Sequence, residues 1–199
     1  MSLMNQTVNK VSAYATKMLK EDLPPDLYFH DWYHTNKVAS VSYRIAEASE
    51  VSGDDFEVLM IAAWFHDLGF VKSYNEHEKY SEELAESFLM NWNYESEKLT
   101  KVINCIKATR MPQSPNTFLE RILCDADMAH LGSHDYLNRL TLLRKEWFVK
   151  LKKTCKDEQW YMENVRFLER HKYFTLYGWA FYHGEKLKNR DRLKSLIRN

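Results

Sequence analysis

Apolar residues recur along most of the chain at three- and four-residue intervals, the period of an amphipathic helix. In residues 5–20 the stripe is Val8, Val11, Ala15 and Leu19, with Tyr14 beside it; in 35–51 it is Val38, Val41, Ile45 and Ala48. Residues 54–67 are apolar nearly all round, the mark of a buried helix, with Asp54 and Asp55 in a first turn whose dipole favours them. Helical segments follow at 76–92, 96–109, 117–130 and 134–151. Residues 157–198 read as two helices broken near Gly178 or somewhat earlier. Punctuation falls at Pro24-Pro25, Gly53, Gly69, 111–115 and Gly132. With no repeat, low-complexity tract or linker in between, the pattern predicts an all-α fold: a single compact bundle of about eight or nine helices over residues 1–199.

Composition sharpens this picture. Five Gly and four Pro in 199 residues are too few for a strand-and-turn protein, which excludes an all-β fold. The 28 basic and 28 acidic residues cancel, so no global field concentrates nucleic acid, and a nucleic-acid partner is not expected. The longest apolar run, 58–65, is eight residues where a membrane span needs about 20. No signal peptide is visible. Cys105, Cys124 and Cys155 lack CxxC spacing and read as reduced thiols, and the expected location is the cytoplasm. The segment 185–199 has six basic and two acidic residues; it reads as the wet face of a terminal helix with Leu187, Leu193, Leu196 and Ile197 packed inward. No self-association stripe stands apart from the core faces, and the pattern leaves a homo-oligomer open.

Chemistry enters where histidines and aspartates occupy positions that periodicity assigns to the core. His34 heads the stripe Val38, Val41, Ile45. His66 and Asp67 end the most apolar helix, before Leu68-Gly69 stops it. Asp125 and Asp127 are about 200° apart on a helix, so only one faces inward; the more enclosed neighbours of Asp127 favour it. An inward carboxylate is costly unless a cation or several donors neutralise it. Each residue alone reads as an ordinary buried group or cap. The set His34, His66, Asp67 and Asp127 offers two imidazole nitrogens and two carboxylates, which suits one divalent ion such as Mn²⁺, Fe²⁺, Mg²⁺, Ni²⁺ or Zn²⁺. The set contains no cysteine, which argues against a closed structural zinc site. The rival series Asp127, His130, His134 is interrupted by Gly132-Ser133.

The order His34, Phe65-His66-Asp67-Leu68-Gly69, Asp125-Ala126-Asp127 resembles the HD-domain superfamily of metal-dependent phosphohydrolases. The likeness places a motif core at 30–130, with helices of 134–198 packed on it. Leu131-Gly132-Ser133, 142–147 and His171-Lys172-Tyr173 with Thr175 are similar to a branch that accompanies bacterial cyclic-nucleotide antiphage effectors. The resemblance implies metal binding by His34, His66, Asp67 and Asp127, and hydrolysis of a small phosphorylated molecule, a nucleotide for preference, by a metal-activated water. His66 and Asp67 are then catalytic, Lys107 and Arg110 (or Lys72) clamp the phosphate, and Glu78 or Asp31 orients water or an imidazole. Di-metal members add two histidines; His77 matches the first, while Lys107 and Thr109 stand near the second, which favours one ion. Phe70 stands where some members carry a glutamate base. Two alternatives follow: a regulatory module that binds a nucleotide without turning it over, and a di-iron oxygenase.

Overall fold

The computed structural model describes residues 6–198, which form nine α-helices and two 3₁₀ turns without a strand. The all-α expectation holds. No helix among the described residues is long and apolar enough to cross a membrane. The chain divides after Asp127 into two compact units.

The first unit contains α1 (Gln6–Glu21), α2 (Trp32–Ala48), α3 (Gly53–Phe65), α4 (His77–Met90), α5 (Ser96–Ala108) and α6 (Phe118–Asp127). Helix α3 is its axis: every residue from Val58 to Phe65 is buried, and α1, α2, α4, α5 and α6 all pack on it. Each such large side chain contributes roughly 1.5–3 kcal/mol by leaving water. Helix α2 starts at Trp32, three residues before the predicted onset, because Asp31 caps it by accepting from the His34 N–H at 2.9 Å. His34 is thereby held in the first turn. Helix α6 opens with a capping box. Glu120 Oε2 accepts from the Asn116 and Thr117 N–H groups, and Thr117 Oγ1 accepts from the Glu120 N–H. The helix predicted to run to residue 130 ends at Asp127, where the backbone tightens into the 3₁₀ turn Met128–Gly132.

The second unit begins with that turn and continues through α7 (Tyr136–Leu151), α8 (Asp157–Arg170) and α9 (Leu176–Arg198). Its core is Met128, Leu131, Tyr136, Leu140, Trp160, Val165, Leu168 and Leu193, with Trp147 edge-on to Trp160. Asn189 of α9 donates to the Leu131 and Ser133 carbonyls, tying α9 to the 3₁₀ turn. The break between the last two helices lies at 171–175, ahead of Gly178. Thr175 Oγ1 accepts from the Gly178 N–H and so places the glycine inside the first turn of α9.

Gly69 connects the fold of the first unit to its chemistry. The 3₁₀ turn Leu68–Val71 lies against the start of α4, and the Gly69 N–H donates to Ser81 Oγ at 2.8 Å. A methyl group on residue 69 would overlap the His77 carbonyl and the Ser81 nitrogen. Both are backbone atoms that cannot swing aside. This approach carries His77 to the side of Asp67. Gly69→Ala is therefore expected to destabilise the protein by about 1–3 kcal/mol, as overpacking does, measured by chemical denaturation; an unchanged midpoint would show that α4 yields freely.

Candidate metal centre

Four side chains from three helix ends converge in the first unit. His34 points in from the start of α2, its ring against Phe29 at a centroid distance of 5.0 Å. His66 caps the C-terminus of α3, and its Nδ1 lies 2.8 Å from the Ala63 carbonyl oxygen. That contact makes Nδ1 the protonated nitrogen and turns the Nε2 lone pair of the neutral ring toward the centre. Asp67 follows directly, and Asp127 is the last residue of α6. His34 Nε2 is 3.3 Å from Asp67 Oδ2 and 3.2 Å from Asp127 Oδ1. His66 Nε2 is 3.3 Å and 3.9 Å from the same two atoms. Among the described residues, His34, His66 and Asp127 form a cluster whose donor atoms all lie within 4.8 Å of one another.

Burial opposes charge on all four residues, and their proximity reverses the outcome. Burial acts to lower the His34 pKa, but the Asp127 and Asp67 carboxylates raise it to about 9. Burial likewise acts to lower that of His66, and the charge of Asp67 raises it. Burial acts to raise the acids; the imidazoles hold Asp67 well below the usual carboxylate range and Asp127 below it as well. Two acids and two bases at one buried point thus demand positive charge, from protons or from a cation.

The donors fit a divalent ion. Three of the four separations, 3.2–3.3 Å, match the edges of a coordination shell with bonds of about 2.0–2.1 Å, which are roughly 3.0–3.4 Å; the fourth, from His66 to Asp127, is longer at 3.9 Å. His66 Nε2 is fully buried and makes no hydrogen bond, as expected of an atom kept for a ligand bond.

The other expected residues fall around this point. Asp67 Oδ1 faces away from the cluster and lies 3.5 Å from His77 Nε2. The His77 ring stacks on Phe70 at 3.8 Å, and its Nδ1 is 3.6 Å from Glu78 Oε2, so Glu78 does face an imidazole. Phe70, at the position of a possible base, serves as the platform for His77 and for His30, 4.4 Å away. Asp31 caps α2 at the backbone of His34. The place of a second extra histidine is spent on structure: Thr109 Oγ1 donates to the Ile106 carbonyl. Lys107 and Arg110 are half exposed and lie 3.6 Å and 3.9 Å from Glu82, so both engage a carboxylate. Lys72 is exposed. His134, from the rival series, is exposed and pairs with Glu185.

Two findings depart from the sequence reading. Asp125 is fully buried, deeper than Asp127, so enclosure did not separate the two; Asp127 is the one whose carboxylate stands beside the imidazoles. Gln113 was not anticipated. It follows the cis Met111-Pro112 bond and donates from Nε2 to Asp127 Oδ2 at 3.2 Å and to the Cys124 carbonyl at 3.3 Å. That contact turns Oδ1 of Asp127 toward the imidazoles. Only its place in the Pro-rich break hinted at a special role. Cys105 and Cys124 are buried, and burial pushes both thiols up, Cys105 to about 12, which agrees with inert core residues.

Comparison with known proteins places this geometry. The model of the family described as HD domain matches residues 31–131, just over half of the chain and all four converging residues. The match is to the domain as a whole and does not single out the antiphage branch. No curated protein matches the sequence. Among solved structures, a crystallised structural-genomics target from Lactobacillus plantarum is similar, with 14% identity, a TM-score of 0.68 and 96% of each chain covered. That likeness is one of fold.

Coordination needs neutral imidazoles, while the raised pKa of His34 keeps its ring protonated at neutral pH. The charged ring's contribution to stability is complete below about pH 6.5 and is lost as pH rises through about 9. Adding a divalent cation to the cation-free protein near neutral pH is expected to release at least one proton per ion, with affinity rising as pH climbs toward about 9. Calorimetric titration in buffers of different ionisation enthalpy reads both; binding without proton release would remove the imidazoles from the ligand set.

Proposed function

Since the chain belongs to the HD-domain family, whose members are mostly metal-dependent hydrolases, we propose that it hydrolyses a phosphate ester or anhydride of a small molecule, a nucleotide for preference. The observation that carries this reading is the convergence of two imidazoles and two carboxylates on one buried point. His34, His66, Asp67 and Asp127 would hold one divalent ion. When bound, such an ion supplies Lewis acidity toward a phosphoryl oxygen and lowers the pKa of a water.

The chain's own residues do the rest. His77 has a pKa raised by Asp67 and Glu78 against the effect of burial, so it can carry a proton 3.5 Å from Asp67 Oδ1 where Phe70 leaves no carboxylate base. Lys107 and Arg110 are long, half-exposed cations that Glu82 keeps together; a substrate phosphate would compete with Glu82 for both. Burial raises the pKa of Glu82 against the opposing pull of Lys107 and Arg110. The pairing with Glu82 also favours a second reading, a module that binds a nucleotide without cleaving it.

Purified protein supplied with Mn²⁺ is expected to release phosphate or a nucleoside product from a panel of phosphate monoesters, diesters and pyrophosphates. His66→Ala and Asp67→Ala should each remove that activity while circular dichroism stays unchanged. Tight nucleotide binding with no product under any metal would support the module, and two irons per chain would support oxidative chemistry instead. Gln113→Leu should weaken metal affinity about 10- to 100-fold, the usual cost of losing a partner that orients a ligand, with the helical spectrum preserved; unchanged affinity would mean that Asp127 needs no such support.

A further inference from the structure

The two halves of α9 differ in kind. From residue 185 onward the helix is dense in charge, whereas no Asp, Glu, Lys or Arg occurs between residues 173 and 184. In that uncharged half, Leu176, Ala180 and Gly184 recur every four residues and are all exposed, forming one stripe along the helix. Trp179 flanks the stripe on one side, its ring parallel to that of His183. Phe181 flanks it on the other, stacked on Tyr177 at 4.2 Å. The opposite face, with Lys186, Asn189 and Leu193, is buried. Leu176, Trp179 and Phe181 are 89%, 60% and 65% exposed, which leaves about 450 Å² of apolar side-chain surface in water. That is the size of the largest apolar patch on a typical monomer, about 300–600 Å², which is often an interaction site.

Gly184 is unexplained within one chain. It sits inside a helix, where glycine is worse than alanine, and a Cβ there would meet nothing within 4 Å. The chain's own packing does not require the missing side chain.

We propose that this face of α9 binds a second copy of the chain, with the two helices antiparallel and crossing at Ala180. The residue order about that point is self-complementary, as a two-fold interface requires. Leu176 meets Gly184 of the partner subunit, so the largest apolar knob of the stripe enters its only side-chain-free position. Trp179 meets Trp179 of the partner subunit on one flank and Phe181 meets Phe181 of the partner subunit on the other, and Ala180 meets Ala180 of the partner subunit, which lets the helices approach closely. Doubling the patch gives about 900 Å² before the helix backbone and the Tyr177 and His183 rims are added, close to the roughly 1,000 Å² at which specific interfaces begin. The dimer is accordingly a modest one that forms with rising concentration.

Position 180 lies on the two-fold axis, so charge placed there meets itself. In sedimentation equilibrium, the wild-type chain is expected to pass from monomer to dimer along a concentration series. Ala180→Glu and Ala180→Lys should each stay monomeric with unchanged circular dichroism, and an equimolar mixture of the two should dimerise again. Gly184→Leu should weaken the dimer while the monomer melts at the same or a higher temperature. A wild-type chain that remains monomeric overturns the proposal, as does a dimer that either charge leaves intact or that their mixture fails to restore. A monomer that floats with vesicles of equal parts phosphatidylcholine and phosphatidylglycerol also overturns it and assigns the face to a membrane surface.

Discussion

Two carboxylates buried against two imidazoles are the constraint around which the first unit is organised. Asp67 and Asp127 both lie within about 4 Å of the same pair of ring nitrogens, where water cannot screen them. Ionised acids so enclosed are untenable without a compensating charge. The fold supplies the means to keep them there: a fully apolar α3 that drives the burial, caps that hold the helix ends, and Ala63 and Gln113, which orient the inner atoms. The same features that make the site expensive prepare it for a divalent ion.

Helix ends account for the convergence. Each contributing residue stands in the first or last turn of a helix or directly beyond it, where the backbone changes direction and a side chain can reach past its own helix. A position in the middle of α3 could point only at the neighbouring helix. Gly69 extends the logic by letting the start of α4 approach so closely that His77 reaches the outer oxygen of Asp67. Phe70, one residue on, then gives that imidazole an aromatic platform. The outer side of Asp67 thus faces an imidazole that stacks on Phe70 and lies beside Glu78.

The second unit poses the opposite problem, too much apolar surface outside a core. Its interior is complete around Trp160 and Leu193, yet α9 still turns Leu176, Trp179 and Phe181 into water. Aromatic residues at helical spacing usually signal packing, and on this helix the spacing runs along two faces, of which the chain itself covers one.

The period of apolar residues was enough to establish the helices, the central place of α3 and the inward bias of His34, His66 and Asp67. These follow from rules that act over three or four residues: a helix repeats every 3.6, an apolar stripe seeks burial, and glycine or proline ends a run. Local rules also located most helix ends to within a few residues. They could not choose between Asp125 and Asp127 on the ground of enclosure, since both are enclosed, nor foresee that Gln113 would reach a carboxylate fourteen residues on. They also could not show that Lys107 and Arg110 would meet Glu82, or that one aromatic face of α9 would stay uncovered. Each of those outcomes depends on where a second, distant segment comes to rest, and the energy of that encounter is not written in the spacing of either segment alone.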